Sequence, residues 1–292
     1  MNILILLIII MNIAYLTLYE RKLLSIGQKR IGPNIIGYYG ILQPLFDGIK
    51  LILNETILPI KANMLELIIW PIWLLLITLI LWFVLPYNRN ISFYNYNYDL
   101  LYIFAFSSLT IYGILYGGFY SHSKYSFIST LRATTQLISY EISIGLLFLP
   151  LIIINKSLNI YIITFNQILY YNIYTNIIPY ILIFISILAE TNRTPFDLLE
   201  AESELVSGYL TEYSSILFIF YYLAEYSMIL FWSFLLFHLY SIHYILNISL
   251  FILFRAILPR FKYNTLILLG WYHILPITIT YLFIYILIYY VI

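Results

Sequence analysis

The chain has 292 residues, of which 63 % are hydrophobic and only 9 % are charged. Soluble domains carry about 25 % charged residues, so this composition excludes a soluble protein and indicates an integral membrane protein. The formal net charge of +1 offers no basic surface for nucleic acid. The absence of cysteine excludes disulfides, zinc–thiolate sites and iron–sulfur ligation by this chain.

Long apolar segments recur along the whole chain. A helix needs roughly 20 apolar residues to cross the hydrocarbon core of a bilayer. Eight segments qualify, near residues 2–19, 67–86, 100–120, 133–154, 173–189, 213–237, 240–258 and 265–291. Only a short turn near Phe237–Tyr240 separates the sixth from the seventh. We expect a single all-α membrane domain over residues 1–292, a polytopic bundle of eight transmembrane helices with short interfacial helices in its loops.

The basic residues lie almost entirely on one side of this predicted topology. Of 14 lysines and arginines, only Arg89 and Lys156 fall in even-numbered connections, which leaves twelve in or beside the odd-numbered ones. The positive-inside rule therefore predicts that the odd-numbered connections face the cytoplasm, or the matrix in a mitochondrion. Both termini are then expected on the opposite side, which is the intermembrane space in a mitochondrion.

The first odd-numbered connection, about residues 20–66, divides into two parts. Glycines and a proline between Gly27 and Gly40 prevent a continuous helix in its first half. From Pro44 onward, apolar residues recur at helical spacing opposite Asp47 and Lys50, which predicts a short amphipathic helix in the membrane interface. The pattern leaves open whether this helix only covers the surface or forms a lid or wall for a site there.

The connection after the fifth span, about residues 190–212, is unusually acidic. It holds six of the 13 acidic residues, namely Glu190, Asp197, Glu200, Glu202, Glu204 and Glu212. The motif Thr194-Pro-Phe-Asp197 predicts a helix N-terminus, with Thr as N-cap, Pro at the first helical position and an acid two positions later. The predicted helix would end near Ser207-Gly208. The acids form either a solvated face or a functional cluster, and Asp197 is either a cap or a member of it.

Two further acids lie inside predicted spans, Glu141 in the fourth and Glu225 in the sixth. A charge at bilayer depth costs at least ~2.5–3.5 kcal/mol, so such residues often mark ion or proton pathways. The alternative is a protonated carboxyl that a neighbouring hydroxyl or carbonyl satisfies. Tyr140 and Tyr226 adjoin these acids in sequence and offer hydroxyls, although tyrosine is abundant throughout the chain.

Several segments together resemble a known family. The segments are ERKLLSIGQKRIGPNIIGYYGILQPLFDGIKL (20–51), LRATTQLISYEIS (131–143), AETNRTPFDLLEAESELVSGYLTEYSS (189–215), LAEY (223–226) and RAILPRFKYNTLILLGW (255–271). In this order they resemble the chain 1 family of membrane subunits of mitochondrial NADH–ubiquinone oxidoreductase, respiratory complex I. They cover all four connections on the positive side.

The resemblance implies a role that composition alone does not. Members of this family have eight spans, join the membrane arm to the peripheral redox arm, and form a ubiquinone cavity with two peripheral subunits. Ubiquinone is then the substrate, and FMN and iron–sulfur clusters belong to partner subunits. Neighbouring small and antiporter-like membrane subunits, the lipid bilayer and a mitochondrial inner-membrane location are also implied. No catalytic residue and no metal ligand is expected in this chain.

Positions that match the family's motifs give two sets of candidate residues. The quinone-cavity set consists of Glu20, Arg21, Gln28, Arg30, Asp47, Arg193 and Phe196. The proton or coupling path consists of Glu141, Glu190, Asp197, Glu200, Glu202, Glu204, Glu212 and Glu225. Lys262 and Asn264 stand where the family commonly has Arg and Asp, which puts an ion pair there in doubt.

Two other functions fit parts of the pattern. The intramembrane acids alone would suit a stand-alone proton or cation transporter, although the chain has no convincing inverted repeat. The membrane anchor of an energy-converting hydrogenase shares the expected fold and acidic loop, but its chemistry involves hydrogen rather than quinone. The composition of the native assembly distinguishes all three.

Overall fold

The structure, a computed structural model, describes residues 2–86, 97–167, 171–197 and 208–291. Every regular element in these ranges is helical, as the composition predicts. The helices are α1 (Asn2–Gly27), α2 (Gln43–Leu53), α3 (Met64–Leu81), α4 (Asp99–Tyr120), α5 (Lys124–Asn155), α6 (Ile160–Asn166), α7 (Asn172–Thr175), α8 (Ile177–Glu190), α9 (Ser215–Tyr240), α10 (Tyr244–Ile257), α11 (Tyr263–Leu268) and α12 (Leu275–Val291). Short 3₁₀ turns cover Tyr38–Gly40 and Gly208–Glu212, and a π-helical turn, Leu269–Ile274, joins α11 to α12.

Six of the described helical segments are long and apolar enough to cross a membrane: α1, α3, α4, α5, α9 and the segment Tyr263–Ile288. Helices α8 and α10 are apolar but have only 14 residues each. They occupy the predicted fifth and seventh spans, so the arrangement of eight spans stays a prediction. In the fifth, Asn176 has non-helical dihedral angles and divides the apolar segment into α7 and α8.

Two helices are longer than the spans predicted within them, and one predicted turn was wrong. Helix α1 continues to Gly27, beyond the span near 2–19, and α5 begins at Lys124, before the span near 133–154. The break between the sixth and seventh segments lies at 241–243, because α9 continues through Phe237–Tyr240 and ends where Ser241 adopts a left-handed conformation with φ 57°.

Helix α9 lies at the centre of the bundle and packs against α1, α3 and α10. Its Trp232 is fully buried and stacks on Phe148 of α5 at 6.5 Å between ring centroids. Within a bilayer such contacts stabilise the bundle by van der Waals packing, because lipid tails are as apolar as the side chains themselves. Serine hydroxyls within the helix, such as that of Ser233, donate to carbonyl oxygens one turn earlier, which satisfies them without breaking the bundle.

Small residues on α4 allow close approach of neighbouring side chains. A Cβ atom added at Gly117 would lie 1.9 Å from the Tyr221 hydroxyl of α9, and one at Gly118 would lie 2.1 Å from Thr130 of α5. Neither distance is compatible with van der Waals contact. Gly117 and Gly118 are therefore packing residues.

Helix α2 is the short amphipathic helix that the sequence predicts. Its apolar side chains Phe46, Ile49 and Ile52 are more than half exposed in the isolated chain. The preceding loop turns sharply at Gly40, where φ is +75° and a Cβ atom would lie 2.3 Å from the Pro33 carbonyl oxygen. An apolar face of this kind suits a lipid surface or another subunit.

The predicted helix start in the acidic connection was wrong. Residues Thr194–Phe196 form turns, with a cis peptide bond before Pro195, and Asp197 is not helical. The remainder of the predicted helix, including Glu200, Glu202 and Glu204, lies outside the described residues. The local capping pattern is overridden here because Phe196 packs into the core between Tyr140 and Phe261.

Candidate functional site

The most concentrated group of polar contacts joins four side chains, which we call the Glu20 cluster: Glu20, Arg193, Tyr226 and Arg255. Glu20 is only 6 % exposed near the end of α1. Its Oε1 accepts from Nη1 of Arg193 at 3.3 Å and from Nη1 of Arg255, and its Oε2 accepts from the Tyr226 hydroxyl at 2.6 Å. One buried carboxylate therefore joins α1, the turn after α8, α9 and α10.

The cation of Arg193 has two partners in this cluster. Its guanidinium carbon lies 4.3 Å from the centre of the Tyr226 ring, in a cation–π contact, while Nη1 donates to Glu20. Burial acts to lower the pKa of Arg193, but Tyr226 and Glu20 outweigh it and raise the pKa above its ordinary value. The guanidinium is therefore a permanent, oriented positive charge.

A cavity of about 250 Å³ lies beside the Glu20 cluster. Its lining residues are Thr17, Glu20, Arg21, Leu24, Arg193, Tyr222, Glu225, Tyr226 and Arg255. A smaller apolar recess continues from the same cluster between Leu16, Ile229 and Ile252. The cavity thus combines three cations and two carboxylates with aromatic and aliphatic walls.

The acid at the far wall of the cavity, Glu225, is held by a residue of the acidic connection. Its Oε1 accepts from the Tyr209 hydroxyl at 2.7 Å. Tyr226 does not supply this bond, contrary to the sequence expectation, because adjacent helical residues point about 100° apart and Tyr226 bonds Glu20 instead. Similarly, the Tyr140 hydroxyl donates to the Leu266 carbonyl oxygen rather than to Glu141.

Glu141 and Glu190 form a second acidic pair within the bundle. The two carboxyls are close enough to interact electrostatically. Oε2 of Glu190 is buried and has no hydrogen-bond partner among the residues that the structure describes. Glu212 is half-buried at the end of the 3₁₀ turn that carries Tyr209. None of the three acids Glu141, Glu190 and Glu212 lines the cavity.

The turn that carries Arg193 is anchored from three sides. Gln136 of α5 is fully buried, and its Nε2 donates to the carbonyl oxygens of Ala189 at 2.7 Å and Phe196 at 3.0 Å. Asp197 is 7 % exposed and pairs with Nη2 of Arg260 at 3.1 Å. The Phe261 amide donates to the Pro195 carbonyl oxygen at 3.0 Å. These contacts fix where Arg193 enters the cavity.

Other members of the predicted quinone-cavity set lie near the surface. Arg21 lines the cavity and also pairs with Asp47 of α2 at 2.9 Å, where both side chains are 40 % or more exposed. Gln28 accepts from Arg30 at 2.7 Å on an exposed loop. The cavity's lining residues do not include Gln28, Arg30, Asp47 or Phe196.

The structure adds residues that the sequence reasoning did not select. Arg255, Tyr226 and Tyr222 line the cavity, and Gln136 anchors its turn. Arg255 could have been selected as an arginine at the end of a predicted span, and Gln136 as a glutamine inside one. Tyr222 and Tyr226 could not be distinguished in this way, because tyrosine is abundant throughout the chain. Among the described residues, no group of three or more His, Asp or Glu side chains is arranged to hold a metal ion.

Comparison with known proteins gives consistent matches over nearly the whole chain. A family model described as NADH dehydrogenase matches residues 1–286. The chain is 43 % identical to NADH-ubiquinone oxidoreductase chain 1 of Cyanidium caldarium, over 94 % of this chain and 86 % of that protein. It is 40 % identical to the same chain of Hyaloraphidium curvatum, over 94 % and 93 %. It is 41 % identical to that of Chondrus crispus, over 94 % and 91 %.

Proposed function

The chain belongs to the NADH dehydrogenase family, and from this premise we propose that it is a core membrane subunit of a proton-pumping NADH:ubiquinone oxidoreductase. In that assembly it contributes to the ubiquinone cavity and to the acidic path that couples quinone reduction to proton translocation. The observation that carries this proposal is the cavity of about 250 Å³ lined by the Glu20 cluster and Glu225. No independent catalysis is assigned to the isolated chain.

The walls of the cavity suit a quinone. A quinone has a polar, planar headgroup and an apolar tail, and its reduction takes two electrons and two protons. The electrons arrive from FMN and iron–sulfur clusters held by peripheral subunits. Arg21, Arg193 and Arg255 direct positive charge at the cavity, where they stabilise negative charge that develops on the headgroup. Since Arg193 is fixed by Glu20 and Tyr226, little reorganisation is needed when that charge appears.

The acids beyond the headgroup region supply the coupling. Glu225 shares the cavity with the arginines, so a new negative charge there changes the electrostatic potential at its carboxyl. Glu141 and Glu190 interact with each other deeper in the bundle, and one oxygen of Glu190 has no hydrogen-bond partner in the described part of the chain. We assign these residues, with Asp197, Glu212 and the acids at 200, 202 and 204, to a path whose proton occupancy responds to quinone reduction.

The proposed membrane arrangement follows from the charge bias. Eight segments cross the inner mitochondrial membrane, with the basic connections and the Glu20 cluster on the matrix side and both termini on the other. Gln28, Arg30 and Asp47 belong to the entrance region around the cavity, and Phe196 lies near it at the start of the acidic connection. The exposed apolar face of α2 then meets lipid or a neighbouring subunit. Peripheral subunits cover the cavity on the matrix side, and small and antiporter-like subunits pack against the bundle.

Mutation of Glu225 tests the coupling role. Glu225→Gln in the assembled complex should lower quinone-dependent NADH oxidation and proton pumping while leaving NADH oxidation by an artificial acceptor at the flavin intact. Glu66→Gln is the matched control, because Glu66 bonds only Trp70 on α3 among its described partners and does not line the cavity. Unchanged quinone turnover and pumping in Glu225→Gln would remove Glu225 from the path.

The native assembly tests the broader assignment. Mass spectrometry of gently extracted membranes should recover the chain with flavin and iron–sulfur subunits in an NADH-oxidising particle. Recovery with hydrogenase-type subunits, or of the chain alone with transport activity, would instead support one of the two alternatives raised by the sequence.

A further inference from the structure

The Tyr209 side chain makes a contact that neither the family comparison nor the cavity explains. Tyr209 lies on the 3₁₀ turn Gly208–Glu212, and its side chain is fully buried. Its hydroxyl donates to Oε1 of Glu225 at 2.7 Å. This distance is the usual length of an O–H···O hydrogen bond.

The ring of Tyr209 is held by the same helix face that carries Glu225. Tyr221 and Glu225 are four residues apart on α9, so their side chains lie one above the other. The Tyr209 ring meets the Tyr221 ring edge to face, with 5.0 Å between centroids and an interplanar angle of 85°. The ring contact and the hydroxyl bond together fix both ends of the Tyr209 side chain.

Tyr221 is itself anchored to α4. Its hydroxyl donates to the Gly113 carbonyl oxygen at 3.2 Å, and it packs where a Cβ atom at Gly117 would clash. Tyr213, at the other end of the same short segment, donates to the Gly117 carbonyl oxygen at 2.8 Å. The turn is thus attached to α4 by Tyr213 and to α9 by Tyr209, and the freedom of Tyr209 to move away from Glu225 is small.

The turn also requires its glycine. Gly208 has φ +59°, a left-handed conformation that glycine adopts without steric cost. This bend directs the next residue, Tyr209, into the bundle rather than toward its surface. The end of the acidic connection therefore delivers one buried hydroxyl directly to the cavity wall.

We infer that Tyr209 is a positioning residue for Glu225, setting the orientation and hydrogen bonding of the carboxyl that faces the cavity. A buried tyrosine hydroxyl needs a hydrogen-bond partner. A backbone carbonyl oxygen would be a sufficient partner if the hydroxyl were only structural, and Tyr213 has such a partner. Here the partner is the one acid among the described lining residues that shares the cavity with Arg21, Arg193 and Arg255 without belonging to the Glu20 cluster. The effect of Tyr209 on turnover rests on the coupling role proposed for Glu225.

Two consequences follow for Glu225. With Oε1 engaged by Tyr209, the carboxyl has a preferred rotamer and a fixed orientation relative to the cavity. The hydroxyl donates to Oε1, so it must give up or reverse this bond when Glu225 gains a proton on that oxygen. Tyr209 thereby connects the protonation of a cavity acid to the backbone of the acidic connection.

The test is Tyr209→Phe in the assembled complex, since it removes the hydroxyl and keeps the ring contact with Tyr221. Infrared difference spectra between the oxidised and reduced complex should contain a carboxyl band that disappears in Glu225→Gln. That band should shift in Tyr209→Phe and stay in place in Tyr213→Phe, which removes a hydroxyl bonded to a carbonyl instead. A Glu225 band that does not move in Tyr209→Phe would overturn the inference.

Activity gives a second, independent measurement. Tyr209→Phe should lower quinone-dependent turnover by about tenfold, the scale of one hydrogen bond to a charged group. In the Glu225→Gln background the same substitution should change turnover by less than about twofold, because its target is already altered. Equal losses in both backgrounds would show that Tyr209 acts independently of Glu225 and would also overturn the inference.

If Tyr209→Phe does not assemble, a second experiment tests the contact from the side of Glu225. In a complex with isotope-labelled tyrosine, Glu225→Gln should shift a tyrosine C–O band, and an unchanged band would overturn the inference. If Glu225→Gln retains full pumping while its band still moves in Tyr209→Phe, the coupling role fails and the positioning of Glu225 by Tyr209 stands.

Discussion

Nη1 of Arg193 lies 3.3 Å from Oε1 of Glu20, although the two residues are 173 positions apart in the chain. The pair connects the end of the first helix to the turn after α8, and both side chains are largely buried. A second arginine, Arg255, donates to the same oxygen from α10. This shared carboxylate is the point at which three distant segments meet beside the cavity.

Glu20→Gln should therefore destabilise the protein far more than Asp47→Asn. The first change leaves two arginines beside a buried neutral amide, and removing one partner of a buried pair costs about 3–5 kcal/mol. The second breaks the exposed Arg21–Asp47 pair, which is worth at most ~1 kcal/mol. Thermal dissociation of the purified complex measures the difference. Equal midpoints for the two variants would contradict the central role of Glu20.

Gln136→Leu should loosen the turn that carries Arg193. The substitution removes the donor to two buried carbonyl oxygens, those of Ala189 and Phe196, at a cost of about 1–3 kcal/mol. We expect a lower thermal midpoint together with a raised KM for quinone, since Arg193 loses its fixed position. Ser139→Ala is the control on the same helix, because that hydroxyl bonds only the Gln136 carbonyl oxygen. A normal KM for quinone in Gln136→Leu would show that the position of this turn does not affect quinone binding.

Gly117→Ala should prevent normal packing of α4 on α9. The added methyl group would overlap the Tyr221 hydroxyl, which lies 1.9 Å from the Cβ position. Gly145→Ala on α5 is a matched control, because no atom lies within 4 Å of its Cβ position. Native gels of mitochondrial membranes should contain assembled complex for Gly145→Ala and little for Gly117→Ala. Full assembly of both would mean that Tyr221 moves freely.

Leu24→Trp should obstruct the cavity without affecting the flavin reaction. Leu24 lines the cavity of about 250 Å³, so a larger ring there occupies space needed by a headgroup. The KM for short-chain quinones should rise several-fold, while NADH oxidation by an artificial acceptor stays unchanged. Ile26→Trp places the same side chain on the same helix, at a position that is 76 % exposed. An unaltered quinone KM in Leu24→Trp would place the headgroup elsewhere.

Part of the fold follows from local patterns. Hydropathy identified the apolar helices because span length and composition are properties of neighbouring residues. The spacing of apolar residues after Pro44 likewise predicted α2, which runs from Gln43 to Leu53. The turn at 194–197 did not follow its local capping motif, because burial of Phe196 against Tyr140 and Phe261 outweighs a cap. Local signals are weak wherever a large side chain can instead enter the core.

By itself the sequence determined the class of protein, the position of most helices and the acids that stand out in apolar surroundings. These are properties of composition and short-range spacing, which the chain carries without folding. Only the tertiary structure decided which oxygen each cation meets, and that Tyr226 bonds Glu20 while Tyr209 bonds Glu225. These choices depend on how helices far apart in sequence pack together, because a hydrogen bond requires contact within about 3 Å.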